Sequence, residues 1–154
     1  MSRVEVLADS KLQGSAESIW ARIASPEGIN HELAPWMRMT APPGTELSPA
    51  AVPVGERWFR SWILLFGVLP VDYDELCVER LDVGHSFLER SKMLSAPVWE
   101  HERTLEPLDG GRTRLVDRVS FVPRIRWTAS IHRAVIAAIF RHRHRRLRAY
   151  FGAR

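Results

Sequence analysis

The sequence predicts an α+β domain, in which an antiparallel sheet of about six strands is covered mainly on one side by helices. Three features point to it. Apolar and polar residues alternate at the start of the chain, five strand-length pieces run from Gly55 to Val122 between turn residues, and about 20 residues without Gly or Pro extend from Ile131 to Phe151.

Val4, Val6, Ala8, Ser10 and Leu12 alternate with Arg3, Glu5, Asp9, Lys11 and Gln13, so the first element reads as a half-buried strand. Ser15 is placed to cap a helix carrying Ile19, Trp20 and Ile23 on one face, and Ser25-Pro26 starts a second short helix that runs through Leu33. Residues 34–55 hold five of the ten prolines without a sustained period and read as a long loop or flap. Strands are expected at Glu56 to Phe66, Val71 to Leu81, Phe87 to Leu94, Val98 to Glu106 and Thr113 to Val122, joined as an antiparallel meander. The first is apolar on both faces and ends in the apolar turn Gly67-Val68-Leu69-Pro70. It reads as a hairpin buried under the Pro-rich segment, with a cavity mouth or membrane-touching tip as the alternative. Pro123 ends the last strand and Ser130 can cap the long helix. Ala134 to Phe140 is apolar nearly all round and is expected to be enclosed; Arg141 to Arg148 is mostly charged.

With 154 residues, 45% hydrophobic and 26% charged, the chain has the balance of one globular domain, spanning residues 1–154. Its one cysteine, Cys77, cannot form an internal disulfide or a Cys-based metal cage, which suits a reducing compartment; the expected location is the cytoplasm. The start of the chain lacks the apolar stretch of a secretory signal, and the longest apolar run, Trp62 to Val71, is shorter than the ~20 residues that span a bilayer. Behind the net charge of +4 lies an asymmetry: 10 of the 22 Lys and Arg residues and none of the 18 acidic ones lie after Asp117. The basic C-terminus reads first as a solvated face complementing an acidic remainder, and second as a contact for a polyanion or an anionic membrane. Nucleic acid is disfavoured because aromatic residues do not interleave the arginines.

Alternation in the Val98 strand puts Trp99, His101, Arg103 and Leu105 inward, and in the Thr113 strand Leu115, Asp117, Val119 and Phe121 share one face. If the Asp109-Gly110-Gly111 turn closes this hairpin, Arg103 faces Asp117, His101 faces Val119 and Trp99 faces Phe121; a one-residue slip would turn one apolar face outward. Arg103 and Asp117 are therefore expected to form an inner ion pair. On the long helix, Arg143 projects toward the side of Ile136, Ile139 and Leu147 and needs an acceptor, for which Asp117, Glu89 or the acid group of a ligand would serve. His101 is the candidate general acid or base, with a histidine merely satisfied by its neighbours as the alternative. His142 and His144, two residues apart on a helix, project about 200° from each other, so no metal site is expected, and no cofactor is called for.

Several segments resemble one bacterial branch of the START-like or SRPBCC superfamily: Ile29-Asn30-His31-Glu32-Leu33 with Pro35, Trp62-Ile63-Leu64-Leu65 with Gly67 and Pro70, Trp99-Glu100-His101-Glu102-Arg103, Thr113-x-Leu115-x-Asp117 and Phe140-x-x-Arg143-His144. The resemblance implies a helix-grip fold, a curved sheet wrapped around the C-terminal helix with a cavity between them for an apolar ligand. The expected function is binding of a small, largely hydrophobic molecule, with Trp62, Trp99, His101, Arg103, Asp117, Phe121, Ile136, Phe140 and Arg143 as candidate lining. The enzyme alternative is a polyketide cyclase or hydratase using His101 as acid or base. In that case His101→Gln abolishes turnover and leaves ligand affinity nearly intact.

Overall fold

A computed structural model of the chain describes residues 3–46 and 48–152. The elements follow in the order β1 (Val4–Gln13), α1 (Ala16–Ile23), α2 (Pro26–Leu33), β2 (Met37–Met39), β3 (Arg57–Leu65), β4 (Leu69–Asp82), β5 (Ser86–Met93), β6 (Val98–Leu108), β7 (Arg112–Val122) and α3 (Ala129–Phe151). The strands form one antiparallel sheet in the order β1-β7-β6-β5-β4-β3-β2. It has seven strands, against about six expected. The addition is β2, three residues inside the Pro-rich segment, too short to show a period and held by pairing with the end of β3.

Local chemistry sets the boundaries. Ser15 Oγ accepts from the Ser18 N–H at 3.2 Å and Ser25 Oγ from the Gly28 N–H at 3.0 Å, so both helices have the predicted caps. Gly28 also lets α2 cross the end of α1, since a Cβ there would lie 1.8 Å from the Arg22 carbonyl oxygen. Gly110 and Gly111 take φ of +76° and +71°, the left-handed region their hairpin needs, and the resulting register pairs Arg103 with Asp117 as the alternation predicts.

α3 differs from expectation in two ways. It begins at Ala129 after a single 3₁₀ turn, so Ser130 lies inside the helix rather than capping it. Its first half is also less enclosed than composition suggests: Ile136 and Phe140 are buried, but Ile131 and Val135 are 66% and 49% exposed, because the helix lies across the sheet by one stripe only. The β3–β4 turn is likewise uncovered, with Phe66, Val68 and Leu69 exposed.

The core comes in two apolar layers. One gathers Val6, Trp99, Val119, Phe121, Ile136 and Phe140; the other gathers Leu12, Ile19, Trp20, Leu105, Leu115 and Leu147. On four elements buried polar residues lie between these layers: Ser10 on β1, His101 and Arg103 on β6, Asp117 on β7, and Arg143 and His144 on α3.

Candidate functional site

The polar layer is a closed network built around Arg103, which is 1% exposed. Its Nε and one terminal nitrogen donate to the two Asp117 oxygens at 2.7 and 2.8 Å, and its terminal nitrogens donate to both Glu32 oxygens at 3.0 and 2.8 Å. One guanidinium thus ties β6 to β7 and to α2 by two forked contacts. Arg143 Nε donates to the same Glu32 at 3.0 Å, adding α3. Within the chain, the acceptor of Arg143 is therefore Glu32, rather than Asp117 or Glu89. Sequence reasoning passed over Glu32 as a site residue, although its i+4 spacing from Gly28 places it on the buried stripe of α2.

Asp117 also takes two histidines, His101 Nε2 and His144 Nε2, each at 2.7 Å. Burial alone would raise the Asp117 carboxyl, but Arg103, His101 and His144 override it and hold it well below the usual carboxylate range. Glu32 is also lowered, because Arg103 and Arg143 outweigh its burial. An ionised carboxylate only accepts, so both histidines present a protonated Nε2 to Asp117. His144, weighed in the sequence as half of a metal pair and as the end of the Phe140-x-x-Arg143-His144 segment, lies 2.7 Å from Ser10 Oγ through Nδ1. His142 points elsewhere, to the Ala34 carbonyl oxygen at 2.7 Å. Among the described residues no group of three or more His, Cys, Asp or Glu is arranged to hold a metal ion.

Two cavities flank this network. The larger, about 410 Å³, lies between α3 and the inner face of β3 to β6; the smaller, about 230 Å³, lies under α1, α2 and the segment that contains Ala41, Pro49 and Val52. Met39, Glu89, His101 and Arg143 belong to the walls of both. Of the predicted lining residues, Trp99, Ile136 and Phe140 face the larger cavity, Arg103 the smaller, and His101 and Arg143 both. Asp117 and Phe121 are fully buried behind the wall, Asp117 in the network and Phe121 against Trp99 and His132. Trp62 is not brought to the site. It is 41% exposed, edge-on to Tyr73 and close to the Arg60 guanidinium, because alternation in β3 turns it away from Ser61 and Ile63, which face the cavities.

The larger cavity opens between α3 and β4, where Ile131, Val135 and Val71 are at once lining and exposed. Trp127, 82% exposed, and Phe66, Val68 and Leu69 adjoin these residues in sequence. At its polar end lie Asp74 and Glu89, 3% and 7% exposed, which the sequence reading had not joined because they sit on different strands.

The arrangement is similar to solved structures. Protein CV1439 from Chromobacterium violaceum superposes with a TM-score of 0.71 at 14% identity over 97% of this chain and 99% of its own. A START superfamily protein from Mycobacterium smegmatis gives 0.68 at 10% identity over 96% of each chain, and Ara h 8.0201 gives 0.61 at 10% identity over 96% and 99%. The fold is the START-like helix grip, a curled antiparallel sheet around a long C-terminal helix. No curated protein matches the sequence. A family model described as "Domain of unknown function (DUF8410)" matches residues 10–151.

Proposed function

The chain belongs to the DUF8410 family, and from its START-like fold we propose that it binds a small, largely hydrophobic molecule in the cavity between the sheet and α3. The observation that carries this reading is the cavity itself. About 410 Å³ walled by Trp99, Ile136, Ile139 and Phe140, with a few polar groups at one end, has the size and chemistry of a small-molecule site. Of the six tryptophans, Trp36, Trp62 and Trp127 are exposed and lie outside the walls of both cavities.

Native followed by denaturing mass spectrometry of gently purified protein is expected to show a small apolar adduct that is released on unfolding. Ile139→Trp, which builds a ring into the lining, is expected to keep the fold and lose the adduct. An empty protein that also fails to take up apolar probes added in solution would overturn the reading.

A second reading, acid–base chemistry on the bound molecule, rests on His101, which reaches both cavities while Asp117 fixes its ring. The polyanion reading is weakened by how α3 spends its cations: Arg143 donates to Glu32, Arg146 to the His31 carbonyl and Arg148 to Ser10. A peripheral membrane contact would use the exposed apolar rim of the cavity mouth rather than this basic face.

A further inference from the structure

Asp74 and Glu89 are two carboxyl groups in an apolar cavity with too few donors between them. Glu89 accepts from Ser91 Oγ at 2.7 Å, its Oε1 stands 3.9 Å from His101 Nδ1, and Asp74 Oδ1 has no hydrogen-bond partner at all. Asp74 is 3% exposed and the Glu89 side chain 10%, and both line the larger cavity. A buried carboxyl oxygen without a donor is costly, and here the chain offers the pair only the Ser91 hydroxyl and a proton held between the two carboxyls themselves. Of the basic side chains on the same wall, Arg143 donates to Glu32 through Nε, His101 is held by Asp117 through Nε2, and the His132 ring packs at a tilt against Phe121. Asp72, the third carboxyl of the wall, is satisfied by Ser95 and the Tyr73 N–H. The deficit is thus specific to the Asp74–Glu89 pair. What complements two carboxyl groups short of donors, at the end of a greasy cavity, is a positively charged group with several N–H bonds.

We propose that the Asp74–Glu89 pair is the recognition site for the protonated amine of an otherwise apolar ligand, whose hydrocarbon part fills the space lined by Trp99, Ile139 and Phe140. The proposal rests on the cavity being a binding site and adds the class of ligand. Burial and the neighbouring Glu89 raise the Asp74 carboxyl well above its usual range, which favours a proton on the pair when no cation lies between the two. When an ammonium group settles between the two, Asp74 ionises and that proton passes to the buffer; the amine keeps its own. Amine binding therefore releases protons, and binding of a neutral chain does not.

The test compares decylamine, decanol and decanoate below their aggregation concentrations. Intrinsic tryptophan fluorescence, to which Trp99 in the cavity wall contributes, reports occupancy, and calorimetry in two buffers of different ionisation enthalpy reports the proton. Decylamine is expected to bind roughly ten- to hundredfold more tightly than decanol, with proton release, and decanoate more weakly than either. Asp74→Asn and, separately, Glu89→Gln are expected to erase the preference for the amine while leaving decanol binding and the thermal melt in place. Equal affinity for decylamine and decanol in the wild-type protein overturns the amine proposal and leaves the cavity reading standing, as does a parallel loss of both ligands in the folded variants. Failure of all three probes to bind overturns both.

Discussion

Arg103→Ala is expected to lower the free energy of unfolding by about 3–5 kcal/mol, read as a drop in the urea midpoint. The magnitude comes from what is left behind. Asp117 and Glu32 are both 0% exposed and would lose four charge-assisted hydrogen bonds from one side chain. Arg103→Lys keeps the charge, but a single ammonium cannot span two forked carboxylates, so it is expected to restore only part of the loss. Replacing Arg103, Glu32 and Asp117 together with apolar residues of similar volume is expected to cost far less than the sum of the three single changes, because no buried charge then stays uncompensated. A negligible effect of Arg103→Ala would show that the network contributes nothing to stability.

Asp117→Asn is the second large effect, and its signature is pH dependence. Four donors converge on the Asp117 oxygens; an amide in their place turns one of its faces from acceptor to donor against Arg103 or a histidine. In the wild-type protein the Asp117 and Glu32 carboxyls lie below their ordinary values of 3.8 and 4.5. The stability they confer is therefore present above those values and is lost as pH falls through the lower values they have when folded. Asp74 has the opposite sign: its contribution is fully present below 3.8 and is lost as pH rises through its elevated folded value. Thermal melts across a pH series are expected to show an acid limb in the wild-type protein. In Asp117→Asn that limb should be shallower, on a stability already lower by about 3 kcal/mol at neutral pH. An acid limb of unchanged steepness would contradict the assignment.

Much of this architecture was legible because strand alternation is strict. The parity of Trp99, His101 and Arg103 against Asp117 and Phe121, with a glycine turn between the two strands, fixed the hairpin register and the central ion pair. The elements that escaped are those where period carries little information. β2 has three residues, and the first half of α3 is apolar all round, so composition could not say which stripe meets the sheet. Partners distant in sequence were the other blind spot. Arg143 advertised its need for an acceptor, but nothing in α3 names a residue of α2, and Glu32 is 111 positions away. Asp74 and Glu89 lie on paired strands but are not register partners, Asp74 standing opposite Met93 and Glu89 opposite Val78. Trp62 was misassigned because its strand is apolar on both faces, which removes the signal that tells inside from outside.

The charged layer between the two apolar layers also limits how the chain can be misthreaded. A shift of β6 against β7 by two residues preserves the inward and outward parity of every side chain, so hydrophobic burial alone barely distinguishes it from the native pairing. That shift sets Arg103 opposite Leu115 or Val119 and leaves Asp117 opposite His101 or Leu105, separating the guanidinium from its carboxylate inside a dry interior. The same holds for α3 advanced by one turn, which would carry Arg143 away from Glu32 and His144 away from Asp117. The ionic layer thus acts as a counting device, penalising the near-native alignments that greasy surfaces would tolerate.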